Sequence, residues 1–155
     1  MNPVDFRSDT VTQPTPAMRE AMLAAPLGDD VLEGDPSVRA LEAKVADLLG
    51  KEAAIFVPSG TMANLLAVKC QTNMGEEVIC DQECHIYYYE AAGYAAFCGV
   101  SPRFTRGARG LFTAAELEAL IRPVDDHFPK TTLVAVENTH NRGGGIPWPI
   151  EQLAE

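Results

Sequence analysis

The sequence is poor in basic residues, has no long apolar run and carries no paired-cysteine signature, and each lack removes a class of protein. Lys and Arg number 12 against 22 Asp and Glu, a net charge of −10 with a pI near 4.7. That balance argues against nucleic acid or an anionic membrane as a partner. No stretch approaches the roughly 20 apolar residues that span a bilayer, and Met1-Asn2-Pro3-Val4-Asp5-Phe6-Arg7 is not the basic start and apolar run of a secretory signal. A cytoplasmic protein is expected. Cys70, Cys80, Cys84 and Cys98 form no C-x-x-C pair, and Cys80 with Cys84 has no second pair to complete a zinc site. They are expected to be reduced core thiols, with no metal bound. Neither the P-loop pattern nor G-x-G-x-x-G occurs, and no repeat or low-complexity tract interrupts the chain.

What is present suits a folded domain: 155 residues, 46% hydrophobic and 22% charged, long enough to bury roughly 68–70% of the unfolded chain's surface. Thr15-Pro16 and Asp35-Pro36 each pair an N-cap with a proline at the first helical position. They predict helices over 17–25 and 36–49, the second stopped by Gly50. Ala53 to Pro58 is a short apolar run bounded by breakers and predicts a strand buried on both faces. Ser59-Gly60 then opens a helix from Thr61 to about Gln71. Further strands are expected at 78–80, near 103–105 and at 132–136, with a capping box at Thr113 to Glu116 opening a helix to Ile121. The last residues, 150–155, begin another amphipathic helix. Strands alternating with helices predict an α/β fold with a largely parallel sheet.

Three polar clusters fall at the carboxyl ends of predicted strands, the rim where such sheets bind ligands. Ser59-Gly60-Thr61 combines helix N-terminal amides with two hydroxyls and could hold a phosphate, although a helix start needs no ligand. His85, five residues past the second strand, could stack on a planar cofactor or serve as a structural histidine. At least one of Tyr87, Tyr88 and Tyr89 should enter the core. Glu137-Asn138-Thr139-His140-Asn141 leads into Gly143-Gly144-Gly145. His127, in Asp125-Asp126-His127-Phe128, has no local signal, and a solvated ring is its ordinary expectation.

The strings D-F-R-S-D-T-V-T-x-P-T at 5–15, G-D-D-V at 28–31, F-V-P-S-G-T-M-A-N at 56–64, H-I-x-x-x-E at 85–90 and E-N-T-H-N at 137–141 resemble the amino-terminal half of the low-specificity L-threonine aldolases. These are pyridoxal-phosphate enzymes of the aspartate-aminotransferase fold. The resemblance implies that Ser59, Gly60 and Thr61 hold the cofactor phosphate and that His85 stacks on the pyridine ring. It further implies that Ser8 binds the substrate carboxylate and that His127 approaches the substrate hydroxyl, which makes His85 and His127 the catalytic candidates. The implied reaction is retro-aldol cleavage of L-threonine or L-allo-threonine to glycine and acetaldehyde, by a homo-oligomer, a tetramer or dimer. Leu32 stands where the family commonly has a tyrosine. The family's pyridine-binding aspartate, D-G-A-R arginine and Schiff-base lysine have no counterpart here, and Lys44, Lys51, Lys69 and Lys130 lack the expected surroundings. Residues 1–14 are therefore expected to be an active-site segment and 15–155 an incomplete cofactor-binding large domain, inactive alone. Two rivals share these features: a β-eliminating lyase acting on another amino acid, and a non-catalytic truncated relative that binds phosphate or a partner chain.

Overall fold

A computed structural model describes residues 4–155, which cluster as two compact units, one ending at Phe56 and the other spanning Val57–Glu155. In the first, a 3-10 turn at Asp9–Val11 precedes α1 (Pro16–Ala24) and α2 (Pro36–Leu49). Both helices start as their caps require. The Thr15 hydroxyl accepts the Met18 amide, and the Asp35 carboxylate accepts those of Ser37 and Val38. Gly50 ends α2 at φ +60°, a left-handed conformation natural to glycine. Ala46 is the one buried residue of these two helices, while Met22, Leu23 and Leu48 remain exposed.

Residues 53–58 correct the sequence reading. They form no strand, and Ile55 and Phe56 are exposed rather than buried. An apolar run supplies the side chains of a buried strand but not a ladder partner, and none of the described strands pairs with it.

The second unit is α3 (Gly60–Lys69), β1 (Glu77–Asp81), α4 (His85–Tyr88), a π-helical turn at Tyr94–Cys98, β2 (Ser101–Thr105), α5 (Ala114–Glu118), β3 (Thr131–Val134) and α6 (Ile150–Leu153). Its sheet is parallel with order β2-β1-β3, as alternating elements predict. The central strand, β1, is buried at all five positions. Val68 of α3, Val78, Cys98 and Val100 form the core beneath Leu65, Ile86 and Tyr94. Tyr87 is the tyrosine that turns inward, its ring edge-on to Phe104 with centroids 4.4 Å apart, while Tyr88 and Tyr89 are half exposed.

Helix α5 opens with the expected capping box but ends at Glu118 rather than Ile121. Its final amides, of Leu120 and Ile121, bond three residues back instead of four, a tightening imposed where Pro123 bars helical backbone at Arg122. Strand β3 stops at Val134, short of the expected residue 136, although the Ala135 amide still reaches Ile79 O at 2.8 Å. The thiols need one correction: Cys80, Cys84 and Cys98 are buried and unbridged, but Cys70, capping the end of α3, is exposed.

Candidate functional site

Where β1 ends, a turn closed by the Cys84 amide on Asp81 O at 3.1 Å delivers the chain into α4, so His85 is its first helical residue. Two residues past that helix, Glu90 folds back with its carboxylate buried. Its Oε1 lies 2.8 Å from His85 Nδ1 and accepts Asn64 Nδ2 of α3 at 2.6 Å. A carboxylate can only accept, so Nδ1 carries the ring proton and Nε2 is the nitrogen left to exchange one. The His85 side chain is 43% exposed against 2% for Glu90, so the ring can meet a ligand while its partner cannot. Glu90 Oε2 is buried with no partner among the described residues.

A second carboxylate fixes the His85 backbone. Glu137, just past β3, accepts the His85 amide through Oε2 at 2.6 Å and the Asn141 amide through Oε1 at 2.8 Å. It thereby ties the start of α4 to the loop at 138–146. That loop is pinned at three further points. The buried His140 ring accepts the Gly143 amide at Nδ1, 2.9 Å, and so donates from Nε2 to Asp81 Oδ1, 3.1 Å. Arg109 Nε donates to Gly143 O at 2.7 Å. Arg142 pairs with Glu83 at 2.9 Å and lies over the Tyr88 ring, 4.0 Å from its centroid. Gly110 packs flat on His140 at φ +84°, where a Cβ would overlap the imidazole.

Between these elements lies a cavity of about 220 Å³ lined by Asn64, Cys84, His85, Ile86, Ala135, Val136, Glu137 and Asn138. One helical turn before Asn64 is the α3 cap. Ser59 Oγ accepts the Met62 amide at 3.1 Å, and a Cβ on Gly60 would meet nothing within 4 Å. The first amides of a helix have no internal partner, so this end is open to an anion. The sequence-derived clusters at 85–90 and 137–141 therefore meet at one cavity, with Asn64 of α3 beside them, whereas none of residues 59–61 lines it. Asn64 and Cys84 were not foreseen; the signal for Asn64 was its position four residues after Gly60, on the same helix face.

His127 bonds Asp125 through Nδ1 at 2.9 Å, is 91% exposed and does not line the cavity. Ser8, in the first unit, caps the turn at Asp9–Val11 by accepting the Thr10 amide at 3.2 Å. Leu32 is exposed. Among the described residues no lysine lines the cavity, no cluster of metal-ligating side chains occurs, and no helix is long and apolar enough to cross a membrane.

The sequence matches the beta-eliminating lyase family over residues 5–155. The chain belongs to that family. It is 47% identical over 153 residues to the low specificity L-threonine aldolase of Escherichia coli, covering 98% of this chain and 45% of that protein. With low-specificity L-threonine aldolase 1 of Arabidopsis thaliana it shares 47% identity over 155 residues, covering 97% and 43%. The chain thus spans less than half the length of these relatives. Its fold is that of the Leishmania major threonine aldolase structure, with a TM-score of 0.71 at 22% identity over 88% of this chain and 39% of that one. This family member accordingly has the parallel sheet and flanking helices of the aspartate-aminotransferase-like fold. Pyridoxal phosphate is the cofactor general to such lyases.

Proposed function

We propose that this chain supplies the phosphate cradle and the acid–base histidine of a pyridoxal-phosphate-dependent aldolase that cleaves L-threonine or L-allo-threonine to glycine and acetaldehyde. The observation that carries the reading is His85, half exposed on a cavity rim, its Nδ1 held by buried Glu90 and its amide by Glu137. The residues present fit the cofactor: an open, hydroxyl-capped helix end at Ser59-Gly60-Thr61 suits a phosphate, and the imidazole offers a face to a flat ring. When bound, pyridoxal phosphate supplies an electron sink for the charge left at the substrate α-carbon.

The chain's own part is positioning and proton transfer. Ser59 Oγ and the amides of Gly60 and Thr61 bind the phosphate. Glu90 keeps the proton of His85 on Nδ1, so Nε2 stacks or exchanges a proton at the cavity mouth. By likeness to the relatives, Ser8 in segment 1–14 receives the substrate carboxylate, and His127 takes the proton of the β-hydroxyl as the Cα–Cβ bond breaks. The remainder of the domain, 15–155, carries the cofactor site of a cytoplasmic homo-oligomer, tetramer or dimer, with the imine-forming lysine contributed from outside this cavity lining.

The test is acetaldehyde release from L-threonine and L-allo-threonine by the protein assembled with every chain it needs and with pyridoxal phosphate. Cleavage of either, lost in His85→Ala, supports the reading. The family match favours one alternative, elimination of a β-substituent, and pyruvate formed from β-chloroalanine without acetaldehyde from either threonine would decide for it.

A further inference from the structure

We propose that Asn64 is a positioning residue for His85: it holds one oxygen of Glu90 against Nδ1 and so fixes the orientation of the ring and the nitrogen that carries its proton. This role rests on the reading of His85 as the group that exchanges a proton at the cavity. Three elements meet here. Asn64 comes from α3, His85 opens α4, and Glu90 folds back from the turn beyond α4, where Ala91 and Ala92 take φ angles of 50° and 56°. Asn64 Nδ2 lies 2.6 Å from Glu90 Oε1, and His85 Nδ1 lies 2.8 Å from the same oxygen. Glu90 Oε2 is buried with no partner among the described residues. A single carboxylate oxygen therefore serves both neighbours, and Asn64 also lines the cavity onto which His85 opens.

One bond would not hold that oxygen in place. The last torsion of a glutamate is broad and close to two-fold, so a carboxylate tied only to His85 can turn and exchange Oε1 for Oε2. With Asn64 donating as well, turning breaks two charge-assisted bonds at once. The other contacts of His85 do not supply this hold. Glu137 takes its backbone amide, and the Tyr89 ring, tilted at 45° with centroids 5.2 Å apart, bounds one side of the imidazole. An isosteric change exposes the role of Asn64, because glutamine has an oxygen on one arm and an NH2 group on the other. In Glu90→Gln the Asn64 NH2 demands an acceptor, so the Gln oxygen takes the shared position and Nδ1 stays protonated. With Asn64→Asp added, the Asp oxygen demands a donor and the Gln NH2 takes that position. An amide NH2 only donates, so Nδ1 must then accept and the ring proton moves to Nε2. Residue 64 thereby dictates the tautomer of a ring that it reaches through residue 90.

Nitrogen NMR of isotope-labelled histidine rings, at a pH where they are neutral, tests this in the cofactor-free protein. Expected for His85 are Nδ1–H in the parent and in Glu90→Gln, and Nε2–H in Asn64→Asp/Glu90→Gln. Nδ1–H persisting in that double variant would overturn the proposal. Should the double variant not fold, Asn64→Leu/Glu90→Gln decides: it offers the Gln no partner at position 64, so both tautomers are expected, and Nδ1–H alone would refute the role. In the assembled enzyme with pyridoxal phosphate, Asn64→Ala should lower kcat for threonine cleavage about tenfold, the lower end of what outer hydrogen-bond partners contribute around metal-bound histidines, with KM little changed. A raised KM at unchanged kcat would make Asn64 a ligand contact instead and overturn the positioning role. A parent that releases no acetaldehyde would refute the aldolase reading, and the ring tautomers would still decide whether Asn64 positions His85.

Discussion

Replacing Glu137 by Gln asks whether one carboxylate braces His85. Glu137 accepts two backbone amides, of His85 at 2.6 Å and Asn141 at 2.8 Å, from a side chain only 17% exposed. Gln has the same shape but one acceptor oxygen, so one amide must face an NH2 group. A hydrogen bond to a charged acceptor is worth about 1.5–3 kcal/mol, and a buried amide left unpaired costs about 1–3 kcal/mol. Some solvent reaches the site, which favours the lower part of both ranges, and the expected loss is about 2–3 kcal/mol. At about 2–4 °C per kcal/mol for a chain of this size, Tm should fall by about 4–12 °C. The control is Glu83→Gln. It removes a pair with Arg142 whose side chains are 46% and 33% exposed, and such a pair contributes about 0–1 kcal/mol. Denaturant titrations of the two variants compare them directly, and the His85 amide resonance should move upfield in Glu137→Gln alone. If Glu137→Gln cost no more than Glu83→Gln, the brace would be wrong.

Gly110→Ala should destabilise by about 2–4 kcal/mol, since it strains φ at +84° and drives a methyl into the His140 ring; a Tm within 2 °C of the parent, against the few degrees per kcal/mol expected, would contradict it. His85→Ala should weaken pyridoxal-phosphate binding, read by absorbance titration, whereas His127→Ala should spare binding and lower turnover of β-hydroxy substrates; equal loss of cofactor in both would refute that division. Asp35 is held below its ordinary 3.8 chiefly by the Val38 amide, then by that of Gly28. Its stabilisation is therefore present above that value and lost as pH falls through the lowered one, and Asp35→Asn should flatten the acid limb of a helicity titration. The 155-residue chain mixed with pyridoxal phosphate should release no acetaldehyde from threonine, because no lysine lines the cavity; turnover would place the imine-forming residue among Lys44, Lys51, Lys69 and Lys130.

What was legible in the sequence was local. Thr15-Pro16, Asp35-Pro36, Ser59 and the Thr113 to Glu116 box each satisfy helix amides within three residues, so their side chains announce the helix start. The run at 53–58 misled because a strand depends on a partner far along the chain. Helix α4 was hidden for another reason: His85-Ile86-Tyr87-Tyr88 has no side-chain cap of its own, and its amide is satisfied by Glu137, 52 residues away. Nor does Ala91-Ala92 signal the positive φ angles, 50° and 56°, that turn the chain back after Glu90. At the candidate site, residue types could be read, since histidine and acids near strand ends suggest chemistry. The pairing of Glu90 with His85 and Asn64 could not be read, because it joins three elements.

The two ends of β1 show how one strand divides stability from chemistry. At its amino end, buried Glu77 meets Arg122 at 2.8 Å, the Thr131 hydroxyl at 2.9 Å and Arg103 at 4.0 Å. Fixed cations and a hydroxyl use up its acceptor capacity, and such a cluster holds strands together while offering nothing to a ligand. At the carboxyl end, Asp81, Glu90 and Glu137 have no guanidinium or ammonium partner among the described residues; they accept from two imidazoles, one side-chain amide and backbone N–H groups. Imidazoles exchange protons near neutral pH where guanidinium does not, so the same buried-acid device that locks one edge leaves the other able to move a proton. The cavity, lined by His85 and Glu137, lies on that second edge. Exchanging the partner type there, with His85→Arg, should preserve the contact with Glu90 and the fold while removing the exchangeable proton. A melting temperature close to the parent's with turnover lost would separate the two roles, and turnover retained would show that His85 moves no proton.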